Sequence, residues 1–359
     1  MTKISKNLFG ALASGKPIYR FILRNRHGVE ISISEFGGAI TSIQTPDKDG
    51  QLAEITLGHR SLEEYVHDLF YCGTIVGRYA NRIAGATFML GGEQFHLTAN
   101  ASSHHLHGGV HGFNKQPWSG TIVNTADVPS LELQRISPAG EEGYPGKLHT
   151  RISYTLDDTN RLSVRIRATS DTPTIANLTQ HLYFNLTGHQ GKDVLDHDLM
   201  IFAETFLPTD DHGIPLGFKQ HVKGTPMDFR TQHRIGERID EDHKAFARIQ
   251  GYDHCWVLDS PESELRPAAT LTEPVSGRQV NIHTNAPGLQ FYSGNLLPTE
   301  AGGASGSRLV YRRGLCLEPQ LFPDSPNQPE FPSPVLLPGE VYSHDIVFQF
   351  GVSENRIQK

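Results

Sequence analysis

Hydrophobic and polar residues alternate with a period of two along much of the chain. The clearest runs are 29–34, 148–156, 162–168 and 346–350. In 162–168, for example, Leu, Val, Ile and Ala occupy every second position, with Ser and Arg between them. Thr150 is the one lapse in the second run. Because successive side chains of a strand point to opposite faces, each run predicts a β-strand with one buried face.

Helical patterns are few. Ser61 and Glu64 form a capping-box pattern before Tyr65, which predicts a helix start, and we expect a second short helix over 232–246. Gly, Pro, Asn and Asp clusters separate the alternating runs, and the chain contains 35 Gly and 22 Pro, which favours many tight turns. We therefore predict an all-β fold: one large antiparallel β-sandwich with few short helices, formed by residues 1–359 as a single domain.

Composition and charge narrow the classes of function. The 359 residues are 37% hydrophobic and carry a net charge of −7, without a block of Lys or Arg, so nucleic acid and anionic membranes are not expected partners. No apolar run approaches the roughly 18 residues of a membrane span, and the N-terminus lacks a signal-peptide pattern. Cys72, Cys255 and Cys316 are far apart in the sequence. This spacing argues against a disulfide framework and fits a reducing, cytoplasmic location.

The segment 77–83 contains Asn81 and Arg82, whose side chains offer forked donors suited to neighbouring sugar hydroxyls. The alternative is a solvated turn. The next polar segment, 104–109, contains His104, His105 and His107.

Several histidines this close together raise the question of a metal. Gly108 and Gly109 argue against a helix that would align His107 with His111, and the motif contains neither Cys nor a carboxylate, so we predict no metal site. His107 in a glycine-rich turn with aromatic neighbours suits a carbohydrate site, or is a plain loop histidine.

Three further segments place titratable groups among apolar residues. His181 lies in an apolar and aromatic run, where it is either a core histidine or a titrating acid, and the strand phase does not settle its direction. Asp253 can accept hydrogen bonds from two hydroxyls or cap a strand; its neighbour His254 should face the other way. Glu318 follows an apolar triplet, and buried carboxylates are rare unless they are paired or functional.

The segment from Pro319 to Pro338, directly after Glu318, contains seven prolines with both ends included. Because proline restricts φ, this segment forms either a stiff wall beside a site or a long rigid loop. The chain has no dinucleotide-binding, Walker, zinc-protease or nucleophile-elbow motif. No cofactor is therefore expected.

Taken together and in this order, the segments resemble the aldose 1-epimerase (galactose mutarotase) family. The matching stretches are Gly-Arg-Tyr-Ala-Asn-Arg-Ile at 77–83, Leu-His-Gly-Gly at 106–109 with Gly-Phe at 112–113, Thr-Gln-His-Leu-Tyr-Phe-Asn-Leu at 179–186, Tyr-Asp-His at 252–254, Gln-Phe-Tyr-Ser-Gly-Asn at 290–295 and Cys-Leu-Glu-Pro-Gln at 316–320 with Phe-Pro-Asp at 322–324. The resemblance implies the galactose mutarotase-like supersandwich, with the site in an open cleft. Pro319 departs from the Thr or Ser expected there.

The resemblance also implies roles for individual residues. It assigns the general acid to His181 and the general base to Glu318. The implied sugar-binding residues are Asn81, Arg82, His107, Asp253 and Gln290. The Leu-His-Gly-Gly pattern selects His107 rather than His105.

The implied activity is interconversion of the α and β anomers of a free aldose such as D-galactose or D-glucose, by acid–base ring opening and closure. For activity near pH 7, we expect an anionic Glu318 to raise the pKa of His181. The rival hypotheses are a non-catalytic sugar-binding module, a glycosidase with two carboxylates, and a sugar-phosphate epimerase with additional basic groups. The preferred aldose, and whether the protein is a monomer or a homodimer, stay open.

Overall fold

The computed structural model describes residues 2–124, 128–188, 192–259, 264–299 and 309–353. The strands of the first half are β1 (Lys3–Ala11), β2 (Pro17–Arg24), β3 (Glu30–Ser34), β4 (Ile40–Pro46), β5 (Leu52–Glu54), β6 (Thr56–Leu57), β7 (Ile75–Val76), β8 (Arg82–Ile83), β9 (Thr87–Leu90), β10 (Glu93–His96), β11 (His105–Leu106), β12 (Ser119–Val123), β13 (Ser130–Ser137), β14 (Leu148–Leu156) and β15 (Arg161–Ser170).

The strands of the second half are β16 (Thr174–Ile175), β17 (Thr179–Gln180), β18 (Tyr183–Phe184), β19 (Asp198–Ile201), β20 (Thr205–Leu207), β21 (Gln220–His221), β22 (His233–Arg234), β23 (Asp253–Val257), β24 (Arg266–Thr272), β25 (Arg278–Thr284), β26 (Gly288–Tyr292), β27 (Leu315–Gln320), β28 (Val335–Leu336) and β29 (Tyr342–Val352). Over the described residues the single α-helix is α1 (Leu62–His67). Short 3₁₀ turns lie at Ala84–Ala86, Phe113–Lys115, Glu141–Gly143, Ile235–Glu237, Lys244–Phe246 and Ser325–Asn327.

Three large sheets organise these strands. The largest has nine strands in the order β12-β13-β14-β15-β29-β25-β24-β19-β22. A seven-stranded sheet has the order β21-β20-β23-β26-β27-β18-β6, and a five-stranded sheet runs from β1 to β5 in sequence order. Neighbouring strands in all three pair antiparallel, for example β14 with β15 and β26 with β27. The predicted all-β antiparallel fold is confirmed.

The two largest sheets pack against each other through their apolar faces. The rings of Phe184 in the seven-stranded sheet and Phe348 in the nine-stranded sheet lie 5.7 Å apart. In β15 every second side chain is buried, as the alternation predicted, and the inward side chains of β14 and β29 join the same apolar core. The side chain of Thr150 also points inward, so this polar residue occupies a position on the buried face of the strand.

β3 departs from simple alternation. Ser32 and Ser34 are buried, as are Ile31 and Ile33, so both faces of this strand are covered. The period-two pattern suggested that the serines face solvent, but they do not.

The predicted helix start at Ser61 is confirmed. The Ser61 hydroxyl accepts a hydrogen bond from the Glu64 amide, 3.3 Å away, at the N-terminus of α1. This contact satisfies one of the amides that a helix N-terminus leaves unpaired.

The helix expected over 232–246 is wrong. This stretch contains β22 and two separate 3₁₀ turns. The amides of Ile235 and Gly236 donate to the carbonyls of His197 and Leu195 beside β19. Pairing with an outside strand replaces the i→i−4 bonds that a helix needs.

Among the described helices, none is both long and apolar enough to cross a bilayer.

Candidate active site

Three adjacent strands of the seven-stranded sheet carry polar side chains to one place. Asp253 begins β23, Gln290 lies in the middle of β26 and Glu318 lies in β27. The Cα atoms of Gln290 and Glu318 are directly paired across the two strands. The amide Nε2 of Gln290 donates to Oδ1 of Asp253 at 2.7 Å, so these side chains occupy the same face of the sheet.

His181 reaches this face from the short connection between β17 and β18. Its amide donates to the carbonyl of Thr74 at 2.9 Å, and its carbonyl accepts from the amide of Gly73 at 2.8 Å. With the backbone held in this way, the imidazole Nε2 lies 3.6 Å from Oε1 of Glu318. Both side chains are buried. The structure therefore brings together the two residues on which the predicted acid–base chemistry depends.

Asn81 and His107 are joined by a reciprocal pair of hydrogen bonds. The His107 amide donates to the Asn81 carbonyl at 3.0 Å, and the Asn81 amide donates to Nδ1 of His107 at 3.1 Å. Both residues have left-handed backbones, with φ of 66° and 53°, a conformation that Asn tolerates better than most residues. Because Nδ1 accepts a hydrogen bond, the proton of the neutral ring is on Nε2.

The protonation of His107 follows from its surroundings. Burial, with a smaller effect from the neighbouring His181, lowers the pKa of His107 well below its usual value. Its ring centroid lies 5.3 Å from that of His181. His107 is therefore a neutral hydrogen-bond donor beside the acid–base pair.

Asp253 lies between two arginines. Nη2 of Arg248 contacts Oδ2 of Asp253 at 2.5 Å, and Nη2 of Arg82 lies 3.8 Å from the same oxygen. Burial opposes ionisation of Asp253, but the two guanidinium groups outweigh it and lower its pKa to about 2. Asp253 is therefore a carboxylate at neutral pH. Sequence reasoning missed Arg248, which precedes Asp253 in a segment without a strand pattern or motif.

The expectation that Glu318 raises the pKa of His181 is wrong. Burial lowers the pKa of His181 to about 4, against a smaller opposing effect from its own backbone carbonyl. Burial also raises the pKa of Glu318 well above its usual range, and the negative charge of Asp253 adds to that effect. Desolvation favours the neutral form of both groups. At neutral pH the imidazole of His181 is therefore neutral, and burial favours a proton on Glu318.

Two hydrogen-bond acceptors in this cluster lack a partner. Within the described part of the chain, Glu318 Oε2 and Gln290 Oε1 are buried oxygens without a hydrogen bond. A buried acceptor left unpaired costs roughly 1–3 kcal/mol. A ligand that carries hydroxyl donors relieves that cost.

Sequence reasoning also missed Tyr71. Its ring centroid lies 4.6 Å from that of His107 and 5.9 Å from that of His181. The residue has a left-handed backbone, with φ of 57°. No periodicity or motif around this position pointed to the site.

His105 and His254 face away from the acid–base pair. The ring nitrogens of His105 lie 2.7 Å from the Thr98 carbonyl and 2.6 Å from the Tyr144 hydroxyl. The ring of His254 packs edge-on against Phe206, with centroids 6.0 Å apart. Both histidines stabilise the scaffold.

One cluster has the composition of a metal site. Ligand atoms of His181, Cys316 and Glu318 lie within 4.8 Å of one another. However, the Cys316 sulfur lies beside Nδ1 of the imidazole, whereas the Glu318 carboxylate lies beside Nε2. A single ion cannot bind both nitrogens of one ring, so the arrangement is poorly suited to a metal.

The proline-rich segment lies beside this site. Pro323 lines a cavity of about 10 Å³ together with Asn81, Asp253 and Gln290, and the Asp324 amide donates to the carbonyl of Arg82 at 2.7 Å. This position agrees with the first of the two possibilities raised by the sequence, a wall beside the candidate site.

The cavity beside the sugar-binding candidates is small. The cavity among Asn81, Asp253 and Gln290 has the volume of about one water molecule. A larger groove of about 710 Å³ lies elsewhere, over the nine-stranded sheet near Arg151 and Arg167. None of the predicted site residues lines that groove.

The family model of aldose 1-epimerase matches residues 19–349 of this chain. The galactose mutarotase of Mus musculus is 38% identical over 354 residues, which cover 98% of this chain and 100% of that protein. The aldose 1-epimerase of Escherichia coli K12 is 39% identical over 342 residues, covering 94% of this chain and 96% of that protein.

Solved structures of aldose epimerases are also similar to this chain. The galactose 1-epimerase from Lactobacillus acidophilus superposes with a TM-score of 0.87 at 27% identity, covering 99% of this chain and 100% of that one. The aldose epimerase homologue from C. elegans superposes with a TM-score of 0.82 at 29% identity, covering 92% and 98% of the two chains. The similarity therefore extends over nearly the whole fold.

Proposed function

The chain belongs to the aldose 1-epimerase family, and on that premise we propose that it interconverts the α and β anomers of free hexoses such as D-galactose and D-glucose. His181 is the general acid and Glu318 is the general base. The observation that carries this assignment is the buried contact of 3.6 Å between the imidazole and the carboxylate.

One proton shared by His181 and Glu318 is sufficient for ring opening. In the reactive form, the shared proton is on His181 and Glu318 is a carboxylate. Glu318 takes the proton from the C1 hydroxyl while His181 donates its proton to the ring oxygen. The bond between C1 and the ring oxygen breaks with its electron pair going to that oxygen, and the former C1 hydroxyl becomes an aldehyde.

Ring closure reverses these transfers after the aldehyde has rotated about the C1–C2 bond. The hydroxyl that was the ring oxygen attacks the other face of the aldehyde and returns its proton to His181. Glu318 returns its proton to the new C1 hydroxyl. Charge and protons balance over the cycle, and no electrons are gained or lost.

The environment of the pair supports these two roles. Burial raises the pKa of Glu318, which makes its carboxylate a stronger base. Burial lowers the pKa of His181, which makes its imidazolium a stronger acid. General acid–base catalysis of this kind contributes roughly 10²–10⁴-fold to a rate.

Five neighbouring residues orient the sugar: Asn81, Arg82, His107, Asp253 and Gln290. Asp253 is an anionic acceptor, and Gln290 offers an unpaired carbonyl oxygen within the described site. His107 donates through Nε2. Donors and acceptors so arranged match a molecule with several neighbouring hydroxyls, and holding it in place lowers the entropic part of the barrier.

We also propose that residues 1–359 form a single domain, active in the cytoplasm as a monomer or a homodimer. The cytoplasmic location is supported by three free thiols, those of Cys72, Cys255 and Cys316. Free thiols are the form that is stable in a reducing compartment. Support for the single domain comes from the main apolar core, which combines residues of β2 near the N-terminus with residues of β29 near the C-terminus.

The rival functions are less well supported. A sugar-binding module has no use for the buried pair formed by His181 and Glu318. A glycosidase requires two carboxylates flanking the bond that is cleaved, whereas Asp253, the second carboxylate here, is engaged in ion pairs with its two arginine partners. A sugar-phosphate epimerase requires additional basic groups for the phosphate. Arg248 is one such group, but its guanidinium is already paired with Asp253.

The test of this function is direct. Freshly dissolved α-D-galactose and α-D-glucose are followed by polarimetry, with and without the protein. We expect the protein to shorten the approach to the anomeric equilibrium without changing the final rotation, and to release no chromophore from nitrophenyl galactosides. A relaxation rate equal to that of buffer alone, for both sugars, would refute the proposal.

A further inference from the structure

The imidazole of His181 has a second polar contact on the side away from Glu318. Sγ of Cys316 lies 3.6 Å from Nδ1, while Oε1 of Glu318 lies 3.6 Å from Nε2. Cys316 and Glu318 are two residues apart in β27, so their side chains project from the same face of the strand. One strand therefore contacts both nitrogens of the ring.

The thiol of Cys316 is well placed for such a contact. Its side chain is fully buried, in an apolar cluster with Leu57, Tyr183 and Tyr292. Burial raises the pKa of Cys316 well above its usual value, so the group stays a neutral thiol. A neutral thiol offers a weak donor and a weak acceptor without adding charge beside the imidazole.

The position of Glu318 indicates which tautomer is needed. Glu318 lies beside Nε2, so a neutral ring that accepts its proton must carry its own proton on Nδ1. Sγ of Cys316 lies beside that nitrogen and accepts from its N–H. Nε2 is then left with its lone pair toward Glu318, the group with which it exchanges a proton.

We propose that Cys316 is a positioning residue that holds His181 in the Nδ1-protonated tautomer, with Nε2 turned toward Glu318 and the reacting sugar oxygen. This inference rests on the proposed function. If the thiol is lost, one of the contacts that distinguish the two ring nitrogens is lost with it. A fraction of the molecules then has the proton on Nε2 in the neutral ring and cannot accept the proton of Glu318.

The other groups around His181 do not replace this contact. The rings of Tyr71, His107 and Tyr183 lie 5.9, 5.3 and 5.1 Å from the imidazole, centroid to centroid. These contacts restrict the plane of the ring. Packing of this kind does not select which nitrogen carries the proton.

The test compares Cys316→Val, which keeps the approximate volume without the thiol, with Cys316→Ser, which keeps a hydrogen-bonding group. Cys72→Val is the matched control, because Cys72 is equally buried in the same apolar cluster and its thiol contacts the Leu57 carbonyl instead. The measurements are kcat and KM for anomer exchange, together with the ¹⁵N chemical shifts of the His181 ring, which report the tautomer.

We expect Cys316→Val to lower kcat about tenfold, part of the 10²–10⁴-fold worth of acid–base catalysis, with little change in KM. The ¹⁵N shifts should change from the Nδ1-protonated form to a mixture. Cys316→Ser should restore the tautomer and most of kcat, and Cys72→Val should leave both near wild type.

Unchanged ¹⁵N shifts in Cys316→Val would overturn the proposal, and so would an equal loss of kcat in Cys72→Val. If Cys316→Val fails to fold, the comparison is made with Cys316→Ala and Cys72→Ala. The ring shifts do not depend on turnover. A wild-type protein without mutarotase activity would therefore refute the proposed function separately from the tautomer.

Discussion

Asp253→Asn removes the one negative charge between Arg82 and Arg248. The pKa of Asp253 falls from an ordinary 3.8 to about 2 in the folded protein. Because each tenfold change in proton affinity is worth about 1.36 kcal/mol, the carboxylate stabilises the fold by roughly 2–3 kcal/mol at pH 7. A pKa lowered by folding gives stability that is present above pH 3.8 and lost as the pH falls through 2.

The assay is urea unfolding of wild type and Asp253→Asn at pH 7 and pH 3. The difference in unfolding free energy should be roughly 2–3 kcal/mol at pH 7 and fall to about half that at pH 3. Asp345→Asn is the control, because Asp345 pairs with Arg167 at the surface and such pairs are worth about 1 kcal/mol or less. A difference for Asp253→Asn that is the same at both pH values would refute the electrostatic account of this cluster.

Three further predictions concern the neighbouring residues. Gly108→Ala should lower activity at least about tenfold and destabilise the fold by more than about 2 kcal/mol, because the added Cβ would lie 1.8 Å from a backbone carbonyl oxygen. Its control is Gly92→Ala, which has a similar φ but open space around it and should leave polarimetric activity unchanged. The rate of anomer exchange should fall about tenfold per pH unit below about pH 4. At that pH a proton binds His181 while Glu318 is already protonated, so the pair has no base left. A polarimetric rate that stays constant from pH 6 to 3 in folded protein would contradict this. Gln290→Leu should raise KM about tenfold with a smaller effect on kcat, and an unchanged KM would exclude Gln290 from sugar binding.

Much of the fold was predictable because alternation reports burial directly. Runs such as 162–168 lie in long central strands whose one face is covered, and the structure matches them residue by residue. The prediction failed over 232–246 because this stretch forms β22 and separate turns, and its amides donate to carbonyls beside β19. A local sequence pattern does not determine which distant carbonyl accepts a hydrogen bond from a given amide.

The candidate site was predictable only in part. The residues of the acid–base pair stood in recognisable segments, and the structure brings His181 and Glu318 together. Arg248 and Tyr71 were missed because their role depends on contacts across the fold, which no spacing encodes. The protonation of the pair was also beyond the sequence, since the pKa of His181 follows from burial.

The central claim is that Glu318 takes the proton from the C1 hydroxyl, and Glu318→Gln tests it most directly. Its matched control is Glu330→Gln, an exposed position in the proline-rich segment that follows Glu318. Polarimetry of freshly dissolved α-D-galactose should show the catalysed rate falling about 10²–10⁴-fold in Glu318→Gln and remaining near wild type in Glu330→Gln. A folded Glu318→Gln protein that brings the rotation to equilibrium at the wild-type rate would contradict the account.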